Sequence, residues 1–236
     1  MIRHIASLCA ILTCIHTANA EEVRKPAAVT SLETTDLADF DEQPETIKSL
    51  IQDALKLTKL NLSYVFSSSD PKLGGMDCSG TIYHLLIKQG LKHTPRQSDE
   101  MGQWLQDNGT LNRTDKADSL THAAFAALKP GDLIFWSGTY EATERSLPIT
   151  HVMLYLGKHK ITKKPVIFGA SDGRSYEGQK RRGVSVFNLT IPKADGKVSI
   201  YGFGSVPGLM PANSISERAS LESTKPQSHP KEPKAE

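Results

Sequence analysis

Gly74-Gly75-Met76-Asp77-Cys78-Ser79-Gly80 reads as a turn feeding a helix. Two glycines precede the cysteine, and the apolar-periodic run Ile82, Tyr83, Leu85, Leu86, Ile87 follows it, closed by Gly90. That pattern predicts a helix with Cys78 in its first turn and a glycine stop. A thiol so placed faces unpaired backbone N–H groups and the positive end of the helix dipole, both of which favour thiolate over thiol. The competing reading is a buried structural cysteine that behaves as a small hydrophobe. The polar flanks Asp77 and Ser79 weigh against it.

Length and composition set the bounds around this stretch. The 236 residues suit one domain plus tails, and 38% hydrophobic with 23% charged residues allows a globular core. Signs of charge are mixed along most of the chain and no basic stripe is interleaved with aromatics, so no nucleic acid partner is expected. Residues 1–20 read as a cleaved secretory signal. Arg3 and His4 form the basic start, Ile5 to Ile15 the short apolar core, and Ala18-Asn19-Ala20 the small-residue cleavage site. The apolar run is too short to span a bilayer, so no stable membrane insertion is expected. The protein is expected to be exported, to the periplasm or the medium, and to act as a monomer. Cys9 and Cys14 leave with such a leader, and Cys78 then stands alone. A lone thiol in an oxidising compartment is a liability that some function must justify. With no second thiol and no closely spaced histidine pair, zinc is not expected, and no cofactor is.

Residues 21–44 are acidic and rich in Pro, Thr and Ser, and read as a flexible linker. From Glu45 the pattern turns helical, with Ile47, Leu50, Ile51, Ala54, Leu55 and Leu57 at three- and four-residue spacing. Asn61 to Phe66 is a short connection or strand carrying Tyr64, followed by the polar turn Ser67 to Pro71. After the Cys78 helix, Thr94-Pro95 stops regular structure. A helix capped by Ser98 then runs through Met101, Trp104 and Leu105 to Asn108-Gly109. Residues 110–127 are ambiguous, one helical turn or two. Beyond Pro130-Gly131-Asp132 come five apolar runs: Leu133 to Trp136, Thr150 to Leu156, Val166 to Ala170, Gly183 to Leu189 and Val198 to Val206. Short strands in series after a helical half predict an α+β fold with an antiparallel sheet. From residue 209 the chain is Ser-, Lys-, Glu- and Pro-rich and reads as a disordered tail.

A thiolate nucleophile needs a base within hydrogen-bond reach and a third group to orient that base. Six histidines lie beyond the leader. His84 falls on the far side of the Cys78 helix, His159 in a Lys-rich turn and His229 in the tail, whereas His151 opens the apolar strand Val152-Met153-Leu154-Tyr155-Leu156-Gly157. Such a strand lying against the Cys78 helix presents His151 toward the thiol. A Cys/His pair alone also admits a satisfied structural histidine.

Five blocks appear in one order: Tyr64-Val65-Phe66; Asp77-Cys78-Ser79-Gly80; Pro95-Arg96-Gln97-Ser98; Leu128-Lys129-Pro130-Gly131-Asp132-Leu133-Ile134-Phe135; and His151 to Gly157. In order and approximate spacing, from about residue 45 to 206, they resemble the NlpC-type family of cell-wall cysteine peptidases. The resemblance implies a compact papain-like catalytic domain over 45–208, with helices packed on an antiparallel sheet. It implies Cys78 as nucleophile, His151 as general base, Tyr64 near the oxyanion, and Asp77 and Ser79 beside the peptide substrate. The implied substrate is a peptidoglycan stem peptide, cut between D-glutamate and a diamino acid. Two other outcomes stay open: a catalytically inactive wall-binding module on the same fold, and a related thiol amidase or acyltransferase.

Three departures from the family pattern stand out. Ser67-Ser68 follow Phe66 where the family has two glycines, and the segment Ser137 to Thr150 is a long polar insertion, lid or plain excursion. The third catalytic residue of the family, often a histidine, falls at Gly169 in Phe168-Gly169-Ala170-Ser171. Glycine offers only a backbone carbonyl or room for water. Ser171, on the same strand face by alternation, and Asp172, one step on, are the other candidates. Arg174 and Lys180-Arg181-Arg182 read as a solvated hairpin loop, with carboxylate binding as the alternative.

Overall fold

Among the described residues, caps and apolar spacing set three α-helices, and apolar runs set the sheet against which they pack. The computed structural model describes residues 25–114, 117–193 and 196–209. In chain order the elements are α1 (Glu45–Thr58), β1 (Ser63–Tyr64), β2 (Gly75–Met76), α2 (Cys78–Lys88), α3 (Ser98–Asp107), β3 (Leu111–Arg113), β4 (Leu133–Ser137), β5 (His151–Lys158), β6 (Pro165–Ser171), β7 (Ser175–Tyr176), β8 (Gln179–Lys180), β9 (Gly183–Asn188) and β10 (Ser199–Gly204). β3, β10, β4, β5, β6 and β9 form, in that order, one antiparallel sheet of six strands. β1 and β2 pair in parallel, and β7 with β8 makes a small hairpin. This is the expected α+β, papain-like arrangement, with the helices ahead of the sheet in sequence. Among the described residues no helix is long and apolar enough to cross a membrane.

Strand alternation sorts side chains into two cores. Phe135, Val152, Leu154, Phe168, Ala170, Val184 and Val186 join α1 residues such as Leu50 and Ile51 and α2 residues such as Ile82 and Leu86. Intervening positions, among them Ile134, Trp136, Met153, Tyr155, Ile167 and Phe187, form a second core on the opposite face. The ambiguous segment before β4 covers that second face. It folds one 3-10 turn, Ala123–Phe125, whose Phe125 ring stacks on Phe203 with centroids 5.9 Å apart.

The segment read as a flexible linker is instead packed over its described part. Ala28 exchanges backbone hydrogen bonds with Arg182, and Val186 donates its N–H to the Thr30 carbonyl. Thr30 N–H in turn donates to Ser185 Oγ at 2.9 Å. Farther on, Leu37 bridges to His159, and Leu32, Leu37 and Phe40 are buried in the helix-side core. The physical reason lies in the sheet. β9 is an edge strand, and unpaired N–H and C=O groups at an edge are satisfied when another segment covers them. Composition concealed this because the three apolar residues follow neither helix nor strand periodicity. The ordered domain accordingly begins before residue 45, and it runs to Leu209, which is buried in the same core. The leader reading for residues 1–20 and the tail reading beyond 209 lie outside the described residues.

Replacing Leu37 or Phe40 with alanine is expected to cost about 2–3 kcal/mol each, the lower range for buried apolar truncation. Urea unfolding checks this, since a true linker would leave the midpoint where it was.

Candidate functional site

The site is built from the start of α2 outward. Asp77 holds an extended conformation and caps the helix, its carboxylate accepting from the Gly80 N–H at 2.5 Å. Arg96 grips the same carboxylate with both guanidinium ends, Nη2 to Oδ2 at 2.9 Å and Nη1 to Oδ1 at 3.2 Å, and also donates to Ser79 Oγ at 2.9 Å. Asp77 and Ser79 are buried, so this fork replaces water for both. Gly80 is obligatory here, because a Cβ would run into the Ser68 carbonyl and crowd the Arg96 and Asp77 side chains. The serines that stand where the family has glycines take up a structural task. Ser68 is buried, donates its hydroxyl to the Gly75 carbonyl at 2.7 Å, and accepts from the Asp77 N–H at 3.0 Å through its own carbonyl. Ser67 adopts the left-handed conformation (φ 62°) that a glycine would enter without strain.

Cys78 is the first residue of α2 and is buried, and α2 packs against β5 and β6. The backbone N–H groups of Val152, Ser79 and Cys78 itself lie close enough to the thiol to favour its ionised form. Val152 directly follows His151, which places the thiol at the start of β5. The helix-terminus effect read from sequence has the expected sign but is outweighed. Burial first, and then the Asp77 carboxylate, push the thiol up to about 11, and the three N–H groups offset only part of that. His151 is buried too, and burial followed by the positive charge of Arg174 holds its imidazole well below the ordinary histidine range. Thiol and imidazole are therefore both neutral in the resting protein.

His151 packs edge-on to Trp136, with ring centroids 5.7 Å apart. Its Nε2 is buried and has no hydrogen-bond partner. None of Gly169, Ser171 and Asp172, the three candidates for a third group, supplies one. A Cβ at Gly169 would stand 3.1 Å from the Met153 methyl group, so any larger residue there requires the Met153 side chain to give way by a few tenths of an ångström. Met153 fills the space that a side chain at 169 would use. Ser171 is buried and Asp172 exposed, and both line the cleft beside His151 without bonding to its Nε2.

The cleft has two lobes. One, of about 380 Å³, is lined by Asp77, Cys78, Ser79, Arg96 and Arg145 among others. The second, of about 660 Å³, is lined by His151, Ser171, Asp172 and Arg174 among others. Tyr64, Phe66 and Tyr140 border both. Burial, with Cys78 and Asp77 nearby, raises the Tyr64 phenol far above its ordinary range, so it keeps its proton and remains a donor. Phe66 is 71% exposed, which is unusual for an aromatic ring of that size and leaves an apolar surface at the junction.

The polar insertion turns out to be a wall of the site. Arg145 donates to the Asp99 carboxylate on α3 and to the Tyr140 hydroxyl, and Asp99 also accepts from Ser146 N–H at 3.1 Å. Below that anchor Ile149 lies directly over Gly102 of α3, with no room for a Cβ between them. Tyr140 and Arg145 were missed from sequence because nothing in a polar loop announces its destination. The remaining described histidines stay out of the cleft. His122 caps the 3-10 turn, His159 Nδ1 accepts from the Ile161 and Thr162 N–H groups, and His84 has Lys88 and Asp70 as charged neighbours.

Comparison with known proteins agrees with this geometry. Over 156 residues the chain is 28% identical to gamma-DL-glutamyl hydrolase from Bacillus subtilis (strain 168), a match that covers 64% of this chain and 32% of that protein. The chain thus spans about a third of that relative's length. The model of the NlpC/P60 family matches residues 61–179, which run from the strand of Tyr64 through Cys78 and His151 to the hairpin after Arg174. With half of its length matched, the chain belongs to the NlpC/P60 family.

Proposed function

We propose that this protein is an exported cysteine peptidase that hydrolyses peptidoglycan stem peptides at the bond between D-glutamate and a diamino acid, with Cys78 as nucleophile and His151 as base. The observation that carries the reading is the thiol at the start of α2, close to the N–H of the residue after His151, with Cys78 lining one lobe of a cleft and His151 the other. The family and the glutamyl-bond specificity in the name of the Bacillus relative support the substrate class. The leader-like residues 1–20 support export.

The chemistry starts from a neutral pair. His151 takes the Cys78 proton as sulfur attacks the scissile carbonyl, so charge develops only as the bond forms. The backbone N–H of Cys78 and the protonated Tyr64 hydroxyl are the donors available to the oxyanion. His151 then passes its proton to the leaving amine, a thioester remains on sulfur, and water hydrolyses it. Asp77 and Ser79, locked by Arg96, form the floor of the acyl-side lobe.

A second reading rests on one observation, the orphaned Nε2 of His151. A general base usually has its other nitrogen bonded, which fixes tautomer and ring orientation. A module that binds stem peptides without turning them over would not need that bond.

Cys78→Ala and His151→Ala are each expected to lower the cleavage rate of purified wall peptides by at least about a thousandfold, as for the loss of a nucleophile or base in comparable triads. Mass analysis of released fragments is the readout. A Cys78→Ala protein that still cleaves would sink the peptidase reading, and binding without turnover by the wild type would establish the second one.

The neutral resting state has its own signature. Alkylation of Cys78 by iodoacetamide is expected to be slow at neutral pH and to climb beyond the free-cysteine value of about 8.5. Asp77→Asn, which keeps an N-cap and removes the negative charge, should shift that profile to lower pH. A rate plateau already reached below pH 7 would mean a preformed thiolate and would refute the neutral pair.

A further inference from the structure

Arg174 is not part of a solvated hairpin. It is only half-buried, its guanidinium stacked over the Trp136 ring with its carbon 4.2 Å from the centroid, and it lines the larger lobe of the cleft beside His151. The Arg174 carbonyl accepts from the Arg181 N–H at 2.8 Å, which fixes the turn that carries it. Among the described residues no carboxylate lies within ion-pair distance of that guanidinium. A cation drawn partly out of water without a counter-ion is stabilised by a ligand that supplies one. Burial alone already draws its pKa down to about 10. Two residues earlier on the same turn, Asp172 lines the same lobe and is exposed, also without an ion-pair partner among the described residues. One lobe thus holds a fixed cation and a separate carboxylate that do not neutralise each other.

We infer that this lobe reads the zwitterionic amino-acid end of the leaving-group residue, its carboxylate on Arg174 and its ammonium on Asp172. The inference rests on the peptidase reading in one respect: the leaving amine departs on the side of the group that protonates it, and His151 lines this lobe. The acyl part then occupies the lobe of Asp77, Ser79 and Arg96. Arginine suits the task because its fork matches a carboxylate in two hydrogen bonds, and the stack on Trp136 orders it before the substrate arrives. A diamino acid whose side chain ends in both an ammonium and a carboxylate satisfies both charges. Lysine, which ends in an ammonium alone, leaves the stacked guanidinium unpaired. Sites built to pair a polar group reject analogues that lack it far better than they reject missing methylenes. A seated carboxylate also offsets the charge that, after burial, holds the His151 imidazole down.

The test uses two matched tripeptides, L-alanyl-γ-D-glutamyl-meso-diaminopimelate and its L-lysine counterpart, which differ only in that terminal carboxylate. Wild-type kcat/KM is expected to favour the first at least about tenfold. In Arg174→Met the ratio should fall to near one, in Arg174→Lys part of it should survive, and in Asp172→Asn both peptides should weaken while the ratio holds. A wild-type ratio near one, or an undiminished ratio in Arg174→Met, overturns the inference. Calorimetric binding of the diaminopimelate peptide and of its terminal carboxamide to Cys78→Ala, and to Cys78→Ala with Arg174→Met, decides the matter without turnover. The acid should win in the first protein and lose its advantage in the second. Equal binding of acid and amide to Cys78→Ala would refute it. If the wild type cleaves neither tripeptide, the peptidase reading fails by itself, and the same calorimetric comparison still decides whether the lobe recognises the carboxylate.

Discussion

Every distance at the site depends on the carboxylate of Asp77. That one group ends the preceding turn, caps the helix through the Gly80 N–H, and receives both ends of the Arg96 guanidinium. Its backbone is tied in the same way, with the N–H given to Ser68 and the carbonyl accepting from the Thr81 N–H. A residue pinned at side chain, amide and carbonyl has no freedom to drift, and the cysteine that follows inherits that rigidity. The arrangement carries a chemical cost. The charge that caps the helix also stands close enough to Cys78 to oppose its ionisation, second only to burial. Precise placement of the thiol and easy formation of a thiolate pull in opposite directions here, and placement has won.

The same balance extends to His151. Burial, and after it the positive charge of Arg174, disfavour its protonation, so the site does not store a separated charge pair in its resting state. In the proposed mechanism, charge separation is deferred until a substrate occupies the cleft and supplies counter-charges of its own. That places more of the work on preorganised donors around the reacting carbonyl, which cost no reorganisation when the charge appears.

Much of this was legible in the sequence, and the remainder fails for identifiable reasons. Long periodic segments announced α1, α2, α3 and the strands that carry His151 and Gly169, because burial of one face imposes a period that survives in the residue order. The two-residue strands β1, β2, β7 and β8 are too short to show any period. The edge cover around Ala28 and Thr30 is made by backbone groups, which every residue possesses, so composition could not reveal it. Cys78 and His151 were found by position and by likeness to a known pattern. The sign of the thiol shift was missed because the helix terminus is a local effect, whereas burial and the Asp77 charge depend on the assembled fold. Arg174 was read as solvated for the same reason, since its Trp136 partner lies 38 positions back along the chain.

Met153 and Gly169 carry a consequence for how this site can change over generations. The methyl group of one fills the volume that a side chain at the other would need. A lone Gly169→His exchange overfills a close-packed core, and a lone shortening of Met153 empties it, and each step costs stability. The two positions are therefore coupled. A lineage bearing the methionine and glycine together reaches a larger residue at 169 most readily when the Met153 side chain gives way at the same step.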